Sequence, residues 1–195
     1  MIRALLRFAL LGGFTAWALD RLLAGRRAGG PPPSMDMVVV IDAPIEAVWA
    51  VVSDIPRQPE WMHEMKEVRI ETPGPTRAGT RGNATVRIFG ISVSDPVEVT
   101  EFEPPHRFAI AHEGLFTGGG VITLEPNADR SATTVHWQET LVPPVLPDLV
   151  AALQAPVLRE IFQADLLHLK EIVEGELAGG AGGADADLAT ATGPS

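Results

Sequence analysis

From Glu67 to Val142 the chain is a succession of β-type runs joined by turns too short to hold a crossover. The runs are Glu67–Thr72, Thr80–Phe89, Ser92–Phe102, Arg107–Glu113, Thr117–Glu125 and Thr133–Val142. Between them stand Pro73-Gly74-Pro75, Gly90, Pro104-Pro105, Gly114 and Asn127-Ala128-Asp129, which are turn formers. Parallel neighbours need a connection of about a dozen residues or more, so this spacing predicts an antiparallel meander. Such a sheet has one face to cover. The chain supplies the cover between Pro156 and Leu177, where Leu158, Ile161, Phe162, Leu166, Leu169, Ile172 and Val173 form one apolar stripe at helical spacing. At about 1.5 Å per residue this helix is roughly 30 Å long and crosses a whole sheet. The expected class is α+β, with a curved antiparallel sheet wrapped around a long C-terminal helix.

Ahead of the meander, Met35–Ile41 (MDMVVVI) reads as a further strand, ended by Asp42-Ala43-Pro44. Ile45, Val48, Trp49 and Val52 then recur at helical spacing, and a short second helix is expected over Pro59–Glu64. Residues 1–27 carry an apolar run of twelve residues, Phe8–Leu19, with arginines on both sides. As a helix that run spans roughly 18 Å, short of the roughly 30 Å hydrocarbon core. It reads as an added N-terminal membrane-associating helix; a signal peptide and a helix with no membrane role are the rival readings. Residues 28–34 form a Gly/Pro linker, 35–177 the domain, and 178–195 a tail with little to bury, expected to be disordered. Residues 1–34 have a net charge of +4 and residues 35–177 of −12. A globular part so acidic repels phosphate backbones, which excludes nucleic acid as a partner, while the basic leader suits anionic lipid. The expected location is therefore membrane-associated. Arg26 and Arg27 directly before the domain favour its cytoplasmic side.

The stretch IDAPIEAVWAVVSDIPRQPEWM resembles the opening of the START-like, polyketide cyclase/dehydrase superfamily, also called SRPBCC or Bet v 1-like. The resemblance rests on Ala43-Pro44, Val48-Trp49, Asp54, Pro59 and Trp61, and at the other end on Leu166, Leu169, Lys170 and Glu174. It covers about residues 36–177 and implies a helix-grip fold. Members range over lipid carriers, cyclases and hydrolase-like relatives, so the resemblance implies a cavity for a hydrophobic small molecule without naming it.

The chain has no cysteine, which excludes disulfides, thiolate metal sites and cysteine nucleophiles. It has no G-x-S-x-G, Walker loop, G-x-G-x-x-G after a strand, or H-E-x-x-H, and its five histidines lack metal-ligand spacing. No cofactor and no metal are expected. The remaining candidates come from strand parity. Phe108, Ile110 and His112 share one face of their strand, and Val135, Trp137, Glu139 and Leu141 share one face of theirs. Both faces are mostly apolar and should point under the long helix. His112 and Glu139 are the catalytic candidates, as base and orienting group; ligand contact and a structural hydrogen bond are the alternatives. Gly118-Gly119-Gly120, in the strand between, weakens that strand and needs a cause: a deepened cavity, a close approach of the helix, or a bulge. The expected ligand-lining set is Trp61, Phe108, Ile110, His112, Gly118, Gly120, Trp137 and Glu139. Three functions follow: a binding module for a lipid, quinone or polyketide-like molecule; a cyclase or dehydratase; or a ligand-free scaffold.

Overall fold

The computed structural model describes residues 2–27, 30, 32–88 and 90–191. Helix α1 (Ile2–Arg27) precedes strand β1 (Met35–Ile41). Helix α2 (Ile45–Val52), a 3-10 turn (Ile55–Arg57) and helix α3 (Gln58–Trp61) follow. Then come β2 (Met65–Ile70), β3 (Arg81–Ile88), β4 (Ile91–Glu103), β5 (Arg107–Glu113), β6 (Thr117–Pro126) and β7 (Thr133–Val142), and last α4 (Pro147–Ala191). The seven strands form one antiparallel sheet in the order β1-β7-β6-β5-β4-β3-β2. Consecutive hairpins build the meander, and β1 returns to pair with β7. This is the expected helix-grip arrangement.

Alternation decides which side is core. Along β1 every second residue is buried, from Met35 through Met37 and Val39 to Ile41. The same holds for Thr133, Val135, Trp137 and Glu139 on β7. These faces meet the stripe of α4, where Leu158, Leu166, Leu169 and Val173 are buried with Val48, Val52 and Trp61. β1 is an edge strand, and α4 also covers its free edge. Gln163 donates to the Val38 carbonyl at 3.0 Å, Lys170 to that of Val40 at 2.9 Å and Arg159 to that of Asp36 at 3.2 Å. Backbone groups that would otherwise offer a template to another chain are thereby occupied.

α4 departs from the expected Pro156–Leu177 at both ends. It begins at Pro147, a residue suited to a first helical turn, so Pro156 lies inside it rather than at its start. The helix N-terminus is held from outside the segment. Asp20 of α1 is buried, and its Oδ1 accepts hydrogen bonds from the backbone N–H of Asp148 (2.9 Å) and Leu149 (3.0 Å). Arg27 adds an ion pair to Asp148 at 2.9 Å. Two orphan donors of the first turn are thus satisfied by a carboxylate at the positive end of the helix dipole. At the far end, residues 178–191, expected to lack structure, continue the helix. No proline interrupts the sequence there before Pro194, and extending a formed helix needs no new nucleus. Parts of the expected linker (residues 28, 29 and 31) and the last tail residues (192–195) lie outside the described residues.

Candidate functional site

A cavity of about 320 Å³ lies between α4 and the concave face of the sheet. Its wall is largely apolar: Met65, Val86, Val93, Ile110, Trp137 and Leu141 come from the strands, and Leu158 and Phe162 from α4. Ile91, at the β3–β4 turn, and Leu115, between β5 and β6, line it as well and are exposed, so the turns carry its rim. A space of about 40 Å³ adjoins it and shares Asp95, Ile110 and His112.

The polar part of the wall is a linked cluster. His112 on β5 donates through Nδ1 to Asp95 Oδ2 on β4 at 2.6 Å, and through Nε2 to Glu139 Oε1 on β7 at 3.0 Å. Glu139 Oε2 accepts from Trp137 Nε1–H at 2.9 Å. Burial alone would lower the His112 pKa, but the hydrogen bonds and charges of Asp95 and Glu139 outweigh it and push it up to about 10. His112 is therefore an imidazolium between two carboxylates at neutral pH. Both ring nitrogens carry protons and both are used, so the ring has no lone pair with which to abstract one.

The glycine run explains how residues two strands apart can meet. β6 lies between β5 and β7, with His112 opposite Gly118 and Glu139 opposite Gly120. Strands are spaced about 4.8 Å apart, so side chains reaching over β6 need it bare. A Cβ on Gly120 would fall on the Glu139 carboxylate and within 3.3 Å of Trp137 Nε1. Gly118 adopts φ of +128°, a conformation that side chains disfavour. None of the expected causes, deepened cavity, close helix approach or bulge, describes the run: the nearest atoms to the missing Cβ positions belong to the neighbouring strands. Gly120 makes room for the Glu139 carboxylate, Gly118 and Gly119 for the neighbouring backbone at Thr140 and Ile110, and neither Gly118 nor Gly120 lines the cavity.

Of the other expected residues, Ile110, His112, Trp137 and Glu139 line the cavity. Phe108 faces the smaller adjoining space. Trp61 does not line the cavity: it is fully buried, edge-on to Trp137 with ring centroids 6.0 Å apart, and its indole N–H has no hydrogen-bond partner among the described residues. The apolar core claims so large a ring ahead of the rim. Asp95 and Asp165 stand outside the expected set, though both carry a sequence signal. Asp95 shares strand parity with Val93, Val97 and Val99. Asp165 stands on the stripe of α4, between Phe162 and Leu166. Asp165 is buried, lines the cavity and accepts the His63 backbone N–H at 2.9 Å. Among the described residues no three histidines or carboxylates converge to hold a metal ion.

Residues 32–174 match the family described as polyketide cyclase/dehydrase and lipid transport. No curated protein matches the sequence significantly. Among solved structures, the chain resembles an aromatase/cyclase from a Streptomyces species, at 15% identity and a TM-score of 0.62, over 75% of this chain and 96% of that one. A protein from Thermus thermophilus matches at 20% identity and a TM-score of 0.60, over 74% and 99%. A START superfamily protein from Mycobacterium smegmatis matches at 18% identity and a TM-score of 0.54, over 73% and 95%. Identities this low speak for the fold alone.

Proposed function

The chain belongs to the polyketide cyclase/dehydrase and lipid-transport family, and from that premise we propose that it binds a hydrophobic small molecule, of the lipid, quinone or polyketide-like kind, in the cavity under α4. The observation that carries the reading is the cavity itself. At about 320 Å³, walled mainly by apolar side chains with a few convergent polar groups, it falls within the size range of small-molecule sites. A scaffold with a filled interior would have no reason to keep it. Cyclase or dehydratase turnover is the second reading. It needs a free base, and a doubly hydrogen-bonded His112 is poorly suited to be one.

The proposal includes a membrane surface as the source of the ligand. No helix among the described residues is long and apolar enough to cross a bilayer. Leu11, Phe14, Trp17, Leu19 and Leu22 of α1 are nevertheless exposed, beside Arg21 and Arg26. Apolar side chains with flanking arginines suit the interface of an anionic bilayer. Because α1 is pinned to the start of α4 by Asp20, it would hold the domain close to that surface.

Native mass spectrometry of the full-length protein extracted in mild detergent tests the central claim. A co-purified apolar molecule, released on unfolding, is the expected result. A ligand-free protein that also fails to take up apolar dyes would refute it. Flotation with anionic vesicles tests the membrane part: Phe14→Glu with Trp17→Glu should abolish co-flotation, and equal flotation of the variant would refute it.

A further inference from the structure

The cavity's polar groups are unbalanced in sign and in hydrogen-bond character. Glu64, Asp95, Glu139 and Asp165 all line it, and His112 is the one basic residue among the described residues that does so; no lysine or arginine is present. The ring donors of His112 and Trp137 are already used, and Gln154, whose amide also lines the cavity, offers donor and acceptor alike. His112 gives both N–H groups to carboxylates, and Trp137 gives its indole N–H to Glu139. Acceptor capacity is left over. Asp165 is 2% exposed; its Oδ1 takes the His63 N–H, and among the described residues its other oxygen takes no hydrogen bond. Burial pushes the Asp165 pKa up, against the hydrogen bond it accepts from the His63 backbone. Asp95 Oδ1, in the same wall, is buried with no hydrogen-bond partner among the described residues; such an acceptor is costly, and a second anion beside it costs more.

Resting on the reading of the cavity as a ligand site, we propose that its occupant is an amphiphile whose polar end donates hydrogen bonds and carries no negative charge, such as an alcohol, phenol or amine, and that amphiphilic carboxylates are rejected. A hydroxyl or ammonium group reaching Asp165 supplies the missing donor. A carboxylate there offers only lone pairs to lone pairs, among groups whose net charge is already negative. The apolar wall accepts the hydrocarbon part in either case, so the head group decides.

Three probes of equal chain length separate these terms: decan-1-ol, decylamine and sodium decanoate, each below its micelle concentration. Each competes at pH 7.5 with N-phenyl-1-naphthylamine, an uncharged apolar dye, bound to the full-length protein. The alcohol and the amine should displace the dye, with decanoate at least tenfold weaker. Asp165→Asn should narrow the gap between decylamine and decanoate; if that variant does not fold, as judged by its melting curve, Glu64→Gln serves the same purpose. Decanoate competing as well as decanol would overturn the inference while leaving the cavity a binding site. No dye uptake, or no displacement by any of the three, would overturn both.

Discussion

Stability above neutral pH provides a direct test of the buried His112 cluster. The folded-state pKa of about 10 lies above histidine's ordinary 6.5. Below 6.5 the ring is protonated whether the chain is folded or not, and the stabilisation is fully present. Between 6.5 and 10 the folded state holds a proton that the unfolded state has released, so stability falls as pH rises, by about 1.4 kcal/mol per unit. From pH 7.5 to 9.5 that is about 3 kcal/mol, or roughly 5–10 °C of melting temperature for a domain of this size. The composition makes the window clean. The chain has no cysteine and no tyrosine, and Lys66 and Lys170 are its only lysines. The α-amino group and the two lysines apart, no cysteine or tyrosine adds a titration to that of His112 at the alkaline end of this range. The assay is thermal unfolding by circular dichroism at half-unit steps from pH 7 to 9.5, with the imidazole carbon shifts followed by NMR. Glu139→Gln removes one of the two carboxylates, so the fall should level off at a lower pH. A melting temperature independent of pH across the window, or a His112 ring already neutral at pH 8, would refute the reasoning.

Three further outcomes follow from the packing. Gly120→Ala puts a Cβ where the Glu139 carboxylate lies, and Glu139 is held on both sides, so it should cost about 2–4 kcal/mol in chemical denaturation; an unchanged midpoint would mean that the carboxylate can swing away. Asp20→Ala removes the acceptor at the start of α4 and should lower stability by about 1 kcal/mol, seen as a melting temperature roughly 2–4 °C lower, whereas no change would show that α1 does not cap α4. The fragment Met35–Leu177 is expected to unfold cooperatively, with a deficit close to that of Asp20→Ala, because the other buried core elements lie within it. Loss of cooperativity in that fragment would assign α1 or residues 178–191 a part in the fold itself.

Much of this protein is set by rules that act over a few residues. Turn formers at Pro73-Gly74-Pro75, Gly114 and Asn127-Ala128-Asp129 leave no room for crossovers, so an antiparallel meander follows from spacing alone. A period of two places His112, Trp137 and Glu139 on inward faces, and a period of 3.6 marks the buried stripe of α4. The same two periods also mark Asp95 and Asp165 as acids on apolar faces, a signal as plain as that of Glu139. What the periods do not contain is partnership. That His112 bonds Asp95 on one side and Glu139 on the other depends on strand register, which brings residues 17 and 27 positions away within 3.0 Å. That Gly120 is bare for the sake of the Glu139 carboxylate beside it depends on β6 lying between β5 and β7. That α4 starts nine residues before Pro156 depends on a carboxylate 128 residues earlier in the chain. Local propensity and periodicity say which way a side chain faces; only the closed sheet and its docked helices decide which group it finds there, because hydrogen bonds and close packing depend on atoms at contact distance, whatever their separation along the chain.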